Sequence, residues 1–138
     1  MRFEAGTQNV AGILGLKAAV DYINSVGIDN IEAHERELKE YAVSELKKTG
    51  KATIYNEHSE AGIVTFNING VFAQDAATHL NSKGIACRSG QHCAKMLLDY
   101  LKTVATVRAS FYFYTSKEDI DALVDAVKHG EEFLDAYF

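Results

Sequence analysis

Residues 62–70 read G-I-V-T-F-N-I-N-G, and this stretch indicates the kind of fold that the chain adopts. Apolar and polar side chains alternate along it, with the period of a strand that has one buried face. The apolar face carries Val64, Phe66 and Ile68. The Asn69-Gly70 pair that follows favours a turn. The stretch therefore predicts a half-buried strand that is followed by a tight turn.

A second strand is predicted over Thr106–Tyr114, which is rich in aromatic and β-branched residues. Alternation divides its side chains between two faces. Its apolar face carries Val107, Ala109, Phe111 and Phe113, and its other face carries Arg108, Ser110, Tyr112 and Tyr114. Shorter strands are predicted near Ala52–Tyr55 and over Ile85–Arg88, the latter followed by a polar loop, Ser89–His92.

Helical periodicity predicts two helices ahead of these strands. The spacing of Ile13, Leu16, Val20 and Ile23 predicts a helix over residues 10–26, capped by Asn9 and stopped by Gly27. A second helix is expected from Asp29 or Asn30 to Gly50, with an apolar stripe of Ile31, Leu38, Tyr41 and Leu46.

Three further helices are expected in the second half of the chain. One runs from Asp75 to Gly84, and a short one includes Leu97–Leu101. Thr115 and Glu118 are expected to form a capping box for the last helix, whose apolar residues run from Ile120 to Leu134. Strands separated by helices predict an α/β (α+β) fold for one domain over residues 1–138, with a small mixed sheet covered by helices.

The composition excludes several classes of protein. The chain has 138 residues and a net charge of −5 without a basic run, which argues against nucleic acid as a partner. We find no apolar run that would span a membrane and no secretory signal. Two cysteines cannot form a disulfide framework, so we expect a reducing, cytoplasmic location. The absence of proline and the abrupt start lead us to expect a domain of a longer protein.

The two cysteines differ in their expected surroundings. Cys87 lies on the Ile85 side of its predicted strand, where it would be buried as a small hydrophobic residue. Cys93 follows a polar loop, directly after His92 and five residues after Arg88. A cationic, partly exposed setting lowers the pKa of a thiol and makes it a nucleophile. An inert loop cysteine is the alternative.

Other groups are less specific. Arg108, among apolar neighbours, would bind a carboxylate or phosphate in a bidentate manner, or it is a solvated or ion-paired edge residue. Gly6-Thr7, just before a helix, could meet a phosphate. The histidines and cysteines lack the paired spacing of a zinc site, so we expect no metal.

Three segments, taken in order, resemble the C-terminal part of a cysteine desulfurase. They are R-F-E-A-G-T-Q-N-V-A-G at residues 2–12, G-I-A-C-R-S-G-Q-H-C-A at 84–94, and T-V-R-A-S-F-Y-F-Y-T-S-K-E-D-I at 106–120. The chain is similar to the Suf type, within the class V, fold type I enzymes that use pyridoxal 5'-phosphate. The resemblance implies the small C-terminal domain of such an enzyme, with residues 10–26 as its lead-in helix.

The resemblance also implies roles for four residues. Cys93 matches the catalytic cysteine, which takes the sulfur of L-cysteine as a persulfide and leaves L-alanine. Arg108 matches the arginine that binds the substrate carboxylate, and Arg88 opens the loop near the active site. Thr7 matches a threonine that reaches the cofactor phosphate of the partner subunit in a homodimer. The persulfide sulfur would pass to an acceptor protein for iron–sulfur cluster assembly or another sulfur-transfer pathway.

The lysine that holds the cofactor in this family follows a histidine, and no lysine of this chain does. The resemblance therefore implies that the N-terminal cofactor-binding domain is absent and that the chain is inactive alone. Two other functions remain open. One is a different class V aminotransferase, lyase or epimerase in which Cys93 is incidental, and the other is a non-enzymatic sulfur-relay or interaction module.

Overall fold

The computed structural model describes residue 3 and residues 5–132, and within them the chain forms five helices and four strands. The helices are α1 (Val10–Val26), α2 (Ile28–Thr49), α3 (Ala73–Ser82), α4 (Lys95–Tyr100) and α5 (Lys117–Lys128). The strands are β1 (Ala52–Ile54), β2 (Ile63–Ile68), β3 (Arg88–Gly90) and β4 (Thr106–Ser110). The predicted α/β class is confirmed. No helix in the described ranges is both long enough and apolar enough to cross a bilayer.

The ends of the first two helices follow their capping residues. The Asn9 side chain accepts a hydrogen bond from the Gly12 amide at 3.0 Å, as predicted. Gly50 ends α2 in the left-handed region, with φ of 65°. The expected start of α2 at Asp29 or Asn30 is wrong, because the helix already begins at Ile28. The Asn30 amide instead donates to the carbonyl of Val26, which ties α2 to the end of α1.

The strands form one sheet in the order β1-β2-β4-β3, and every neighbouring pair is antiparallel. The expectation of a mixed sheet is therefore wrong in this detail. Strands β2 and β3 run in the same direction, as strands joined by a crossover helix commonly do. Because β4 lies between them and is antiparallel to both, no parallel pair forms.

The core lies on the helix-covered face of the sheet. Helices α2 and α3 contact the strands, and α5 packs against both helices. Val64, Phe66 and Ile68 of β2 are at most 2% exposed, so the predicted alternation is confirmed. The largest side chains that are fully buried come from both strands and helices: Phe66, Leu38, Leu46, Ile68, Leu80, Ile120, Val64, Val107, Val127 and Thr106.

Helix α1 differs from the other long helices because none of its residues is buried among the described residues. Its predicted stripe includes Ile13, Leu16 and Val20, which are between 47% and 68% exposed. Periodicity therefore predicted the helix correctly, but most of the apolar face of α1 is exposed within the described ranges, and only Ile23 of the stripe is half-buried.

Strand β4 is shorter than predicted, since it ends at Ser110 rather than Tyr114. The Phe111 amide still donates to the Gly62 carbonyl at 2.7 Å, just before β2 begins. Beyond that point β4 has no partner on β2, and the Thr115 amide closes a turn onto the Tyr112 carbonyl. The aromatic rings after Ser110 pack against one another instead of extending the sheet.

Strand β3 lies later in the chain than Ile85–Arg88, the predicted range. The Ile85 amide donates to the carbonyl of Leu80, so Ile85 still belongs to the end of α3. Pairing with β4 starts only at Arg88. Ser89 and Gly90, expected in a loop, are therefore part of the strand.

The capping box of α5 is one residue later than predicted. Ser116 and Asp119 form it, rather than Thr115 and Glu118. The Thr115 hydroxyl accepts a hydrogen bond from the Tyr112 amide at 3.0 Å and serves the preceding turn.

Other predicted boundaries differ by one or two residues, and one predicted residue lies out of range. Helix α3 begins at Ala73 rather than Asp75. Leu134 lies outside the described residues.

We expect replacement of Phe66 by alanine to lower the free energy of unfolding by about 3–5 kcal/mol, because it opens a cavity in the core. Urea denaturation followed by circular dichroism measures the change. The matched control is Val104→Ala, since Val104 is 73% exposed and its truncation should cost less than about 0.5 kcal/mol. A Phe66→Ala loss as small as that of the control would contradict the described core.

Candidate functional site

Two arginines lie directly opposite each other on neighbouring strands. Arg88 of β3 and Arg108 of β4 are register partners in the antiparallel pair. Side chains at directly opposite positions project from the same face of a sheet. Val107 and Ala109, on either side of Arg108, are buried in the core. Both guanidinium groups therefore project from the face of the sheet opposite the core, as alternation predicted for Arg108.

The arginine pair carries uncompensated positive charge. Within residues 5–132, neither guanidinium has an ion-pair or hydrogen-bond partner. The Nε atom of Arg108 is buried and lacks an acceptor. Like charges directly opposite destabilise a sheet, and a buried N–H without an acceptor adds a further cost. An anion with two oxygen atoms, such as a carboxylate, would remove both costs. The alternative of an ion-paired Arg108 finds no support in the described residues.

Cys93 lies in a tight turn that leaves strand β3. Its thiol is exposed, as predicted. Both His92 and Cys93 have positive φ angles, 53° and 58°, which side-chain-bearing residues rarely adopt. The Ala94 amide donates to the Gln91 carbonyl at 2.9 Å and closes the turn. Such backbone conformations are concentrated at functional sites, where the surrounding structure holds them in place.

The two cysteines occupy different environments. Cys87 is half-buried and packs against the core beside Ile85, which confirms the predicted contrast with Cys93. Burial raises the pKa of the Cys87 thiol to about 11. Because the thiolate is the nucleophile, Cys87 is unsuited to covalent chemistry at neutral pH. Cys93 is therefore the cysteine whose thiol is exposed for reaction.

Thr7 lies apart from this group of residues. It is exposed and follows Gly6, whose φ is 89°, just before α1. No hydrogen bond within residues 5–132 joins the Thr7 side chain to the arginines or to Cys93. The structure thus places Arg88 opposite Arg108, with the Cys93 turn directly after β3, and shows no contact of Thr7 with these residues.

Sequence reasoning gave no role to Thr65 and Asn67, and it considered His92 only as a neighbour of Cys93 in the chain. Thr65 of β2 is the register partner of Arg108 on its other side. Asn67 lies further along the same face, and its amide donates to the Ala105 carbonyl at 3.0 Å. His92 is within 3.1 Å of the Thr106 carbonyl oxygen. The alternation of β2 placed Thr65 and Asn67 on the polar face, but only strand pairing shows which residues they adjoin.

A separate cleft of about 310 Å³ lies between the end of α3, the end of β4 and α5. Cys87, Ser110 and Tyr114 contribute to its walls, but Arg108 and Cys93 do not. The cleft is therefore distinct from the arginine pair. Across the described ranges, no three His, Cys, Asp or Glu side chains are grouped in a way that could hold a metal ion.

Residues 1–123 match the family described as aminotransferase class V. The chain belongs to this family. Its class V relatives include a probable cysteine desulfurase of Halalkalibacterium halodurans, 46% identical over 137 residues. A cysteine desulfurase of Haloferax volcanii is 42% identical over 135 residues. These matches cover 99% and 96% of this chain but 34% and 32% of the relatives. The chain thus spans about a third of the length of the curated relatives that it matches.

Solved structures of cysteine desulfurases are also similar to this chain. The cysteine desulfurase CsdA of Escherichia coli superposes with a TM-score of 0.85 at 39% identity, over 95% of this chain and 33% of that one. A cysteine desulfurase of Thermococcus onnurineus in its apo form gives a TM-score of 0.86 at 36% identity, over 93% and 32% respectively. The expected resemblance is confirmed at the level of the family and its fold.

We expect iodoacetamide to alkylate Cys93 near pH 8 while Cys87 stays unmodified, because burial keeps the Cys87 thiol protonated until the pH approaches its pKa of about 11. Peptide mass spectrometry measures the two sites separately. Cys87→Ser and Cys93→Ser variants serve as matched controls, and both sites should react alike in urea. Equal rates in the folded chain would show that Cys87 is not protected.

Proposed function

We propose that this chain is the C-terminal domain of a Suf-type cysteine desulfurase and supplies the substrate-carboxylate site and the sulfur-accepting thiol. One observation carries the proposal: an unpaired arginine couple, Arg88 and Arg108, lies on the paired strands β3 and β4, and the turn with the exposed Cys93 directly follows β3. An amino acid whose carboxylate binds the couple could present its side chain to a nearby thiol. The relatives named cysteine desulfurase support L-cysteine as that amino acid.

Arg108 would bind the substrate carboxylate directly. Its buried Nε and the flat guanidinium suit a bidentate contact with two carboxylate oxygens. Arg88 would add a second positive charge from the neighbouring strand. Holding the carboxylate at one end fixes the orientation of the amino acid, which lowers the entropic cost of the reaction.

Cys93 would accept the sulfur. Its thiolate attacks the substrate sulfur, an S–S bond forms, and the bond between the substrate Cβ and sulfur breaks with its electron pair going to carbon. The carbon then takes up one proton to become the methyl group of L-alanine, which leaves, while Cys93 keeps the sulfur as a persulfide. The exposure of Cys93 suits the next step, since an acceptor thiol must reach the outer sulfur.

Pyridoxal 5'-phosphate, when bound, supplies the electron sink that such carbon chemistry needs. The residues of this chain fit the substrate side of that chemistry rather than the cofactor ring, because no lysine here follows a histidine. We assign Thr7 to the cofactor phosphate of a partner subunit, since its hydroxyl is exposed before α1 and is not used within residues 5–132.

The remaining parts of the proposal follow from this chemistry. The complete enzyme would be a homodimer that acts in the cytoplasm and passes sulfur to an acceptor protein, for iron–sulfur cluster assembly or another sulfur-transfer pathway. Two free cysteines are compatible with a reducing compartment. The chain by itself would be inactive, because it lacks the lysine that holds the cofactor.

We expect Arg108→Lys to lower kcat/KM for L-cysteine by about 10- to 100-fold, because an ammonium group cannot reproduce the bidentate contact. The assay joins the chain to a class V cofactor-binding segment and measures alanine formation. Arg36→Lys is the matched control, since Arg36 is an exposed residue of α2. If both variants keep the parent value, Arg108 does not bind the substrate.

We expect Cys93→Ser to abolish both the persulfide and turnover of L-cysteine in the same assembled enzyme, whereas Cys87→Ser keeps both. Mass spectrometry detects the added sulfur, and the assay omits reductants that could bypass the transfer. Full alanine formation by Cys93→Ser would instead favour another class V reaction in which Cys93 is incidental. Persulfide uptake from a donor by the isolated chain, without turnover in the assembled enzyme, would favour a sulfur-relay module.

A further inference from the structure

We propose that His92 is a positioning residue, which tethers the Cys93 turn to strand β4 and so sets the distance between the thiol and the carboxylate site. This inference rests on the proposed function, because it concerns sulfur transfer to Cys93. It also makes a claim about the structure of the chain that can be tested without turnover.

The tether is a hydrogen bond between a side chain and the backbone of β4. The Nε2 atom of His92 lies 3.1 Å from the carbonyl oxygen of Thr106. Because a carbonyl oxygen only accepts hydrogen bonds, Nε2 must carry the proton. The contact therefore defines the ring tautomer, with Nε2 protonated. Thr106 lies two residues before Arg108 on the same strand, so the tether joins the turn to the strand that holds the carboxylate site.

The turn needs such a contact because its backbone is strained. His92 and Cys93 adopt left-handed φ angles in succession, and neither is glycine. The Ala94 amide closes the turn onto Gln91, but that bond lies wholly within the loop. The His92 side chain links the loop to the sheet. Strained conformations of this kind persist only where surrounding contacts hold them.

The His92 side chain is half-buried, and this partial burial supports the tether. Its Nδ1 atom is buried and has no hydrogen-bond partner, although the adjacent residue, Cys93, is exposed. A buried acceptor without a partner is costly and rare, so a feature other than stability accounts for it. The exposed thiol of Cys93 is thus preceded by a half-buried ring that is hydrogen-bonded to β4.

A fixed turn affects one kinetic step more than the others. Arg88 and Arg108 bind the carboxylate whether or not the turn is tethered, so substrate affinity should persist without His92. Sulfur transfer depends on the position of the thiol, and a displacement of about 1 Å can reduce a rate roughly 100-fold. His92 should therefore influence kcat and leave KM nearly unchanged.

The experiment compares His92→Ala with His92→Gln in the enzyme assembled with a cofactor-binding segment. Glutamine keeps an amide donor at about the reach of Nε2. We expect kcat for L-cysteine to fall at least about tenfold in the alanine variant with KM within about twofold, and glutamine to recover most of the loss. Equal melting temperatures of the two variants would exclude a difference in folding as the cause.

Nitrogen-15 NMR of the unmodified full chain supplies the second measurement. A protonated Nε2 and an unprotonated Nδ1 on His92 would support the tether, and the opposite tautomer would overturn it. An assembled enzyme that depends on Cys93 but is unaffected by His92→Ala would overturn the positioning role and leave the proposed function standing. The expected tautomer together with no Cys93-dependent turnover would overturn the proposed function, and with it the positioning role, while the hydrogen bond would stand.

Discussion

The antiparallel pairing of β3 with β4 determines where each group of the candidate site lies. It places Arg88 opposite Arg108 and Gly90 opposite Thr106, and the chain leaves the sheet from Gly90 toward Cys93. Two like charges in direct register weaken this pairing. The other face of β4 compensates, because Val107 and Ala109 are buried in the core. Stability is therefore concentrated on the core face of the sheet, and the opposite face carries the two unpaired arginines.

Much of the fold could be predicted from local patterns, because burial repeats with the period of each element. Alternation identified β2 and the faces of β4, and glycine marked the end of α2. The ends of strands could not be predicted in this way. Strand β3 ends opposite the first residue of β4, and β4 ends opposite the first residue of β2. Both limits depend on residues that are distant in sequence. The capping box of α5 begins one residue later than predicted, because the Thr115 hydroxyl accepts a hydrogen bond from the Tyr112 amide in the preceding turn.

The candidate site was predictable only as separate parts. The alternation of side chains along a strand distinguished the surroundings of Cys87 from those of Cys93. It also placed Arg108 on the polar face, and the structure agrees on each point. The juxtaposition of Arg88 with Arg108 needed the register between two strands, which no single segment contains. The contact of His92 with Thr106 depends on two left-handed residues, a conformation that neither residue type favours.

The insertion of β4 between β2 and β3 has a consequence for the order of folding. Strand β4 is the last of the four strands in the chain but occupies an interior position in the sheet. During synthesis β2, α3 and β3 emerge first, and the sheet cannot close until Ser110 is available. Contacts between residues far apart in sequence slow folding, because the entropy of loop closure must be paid before they form. The two arginines consequently meet only at the final closure of the sheet, before α5 packs against the helices.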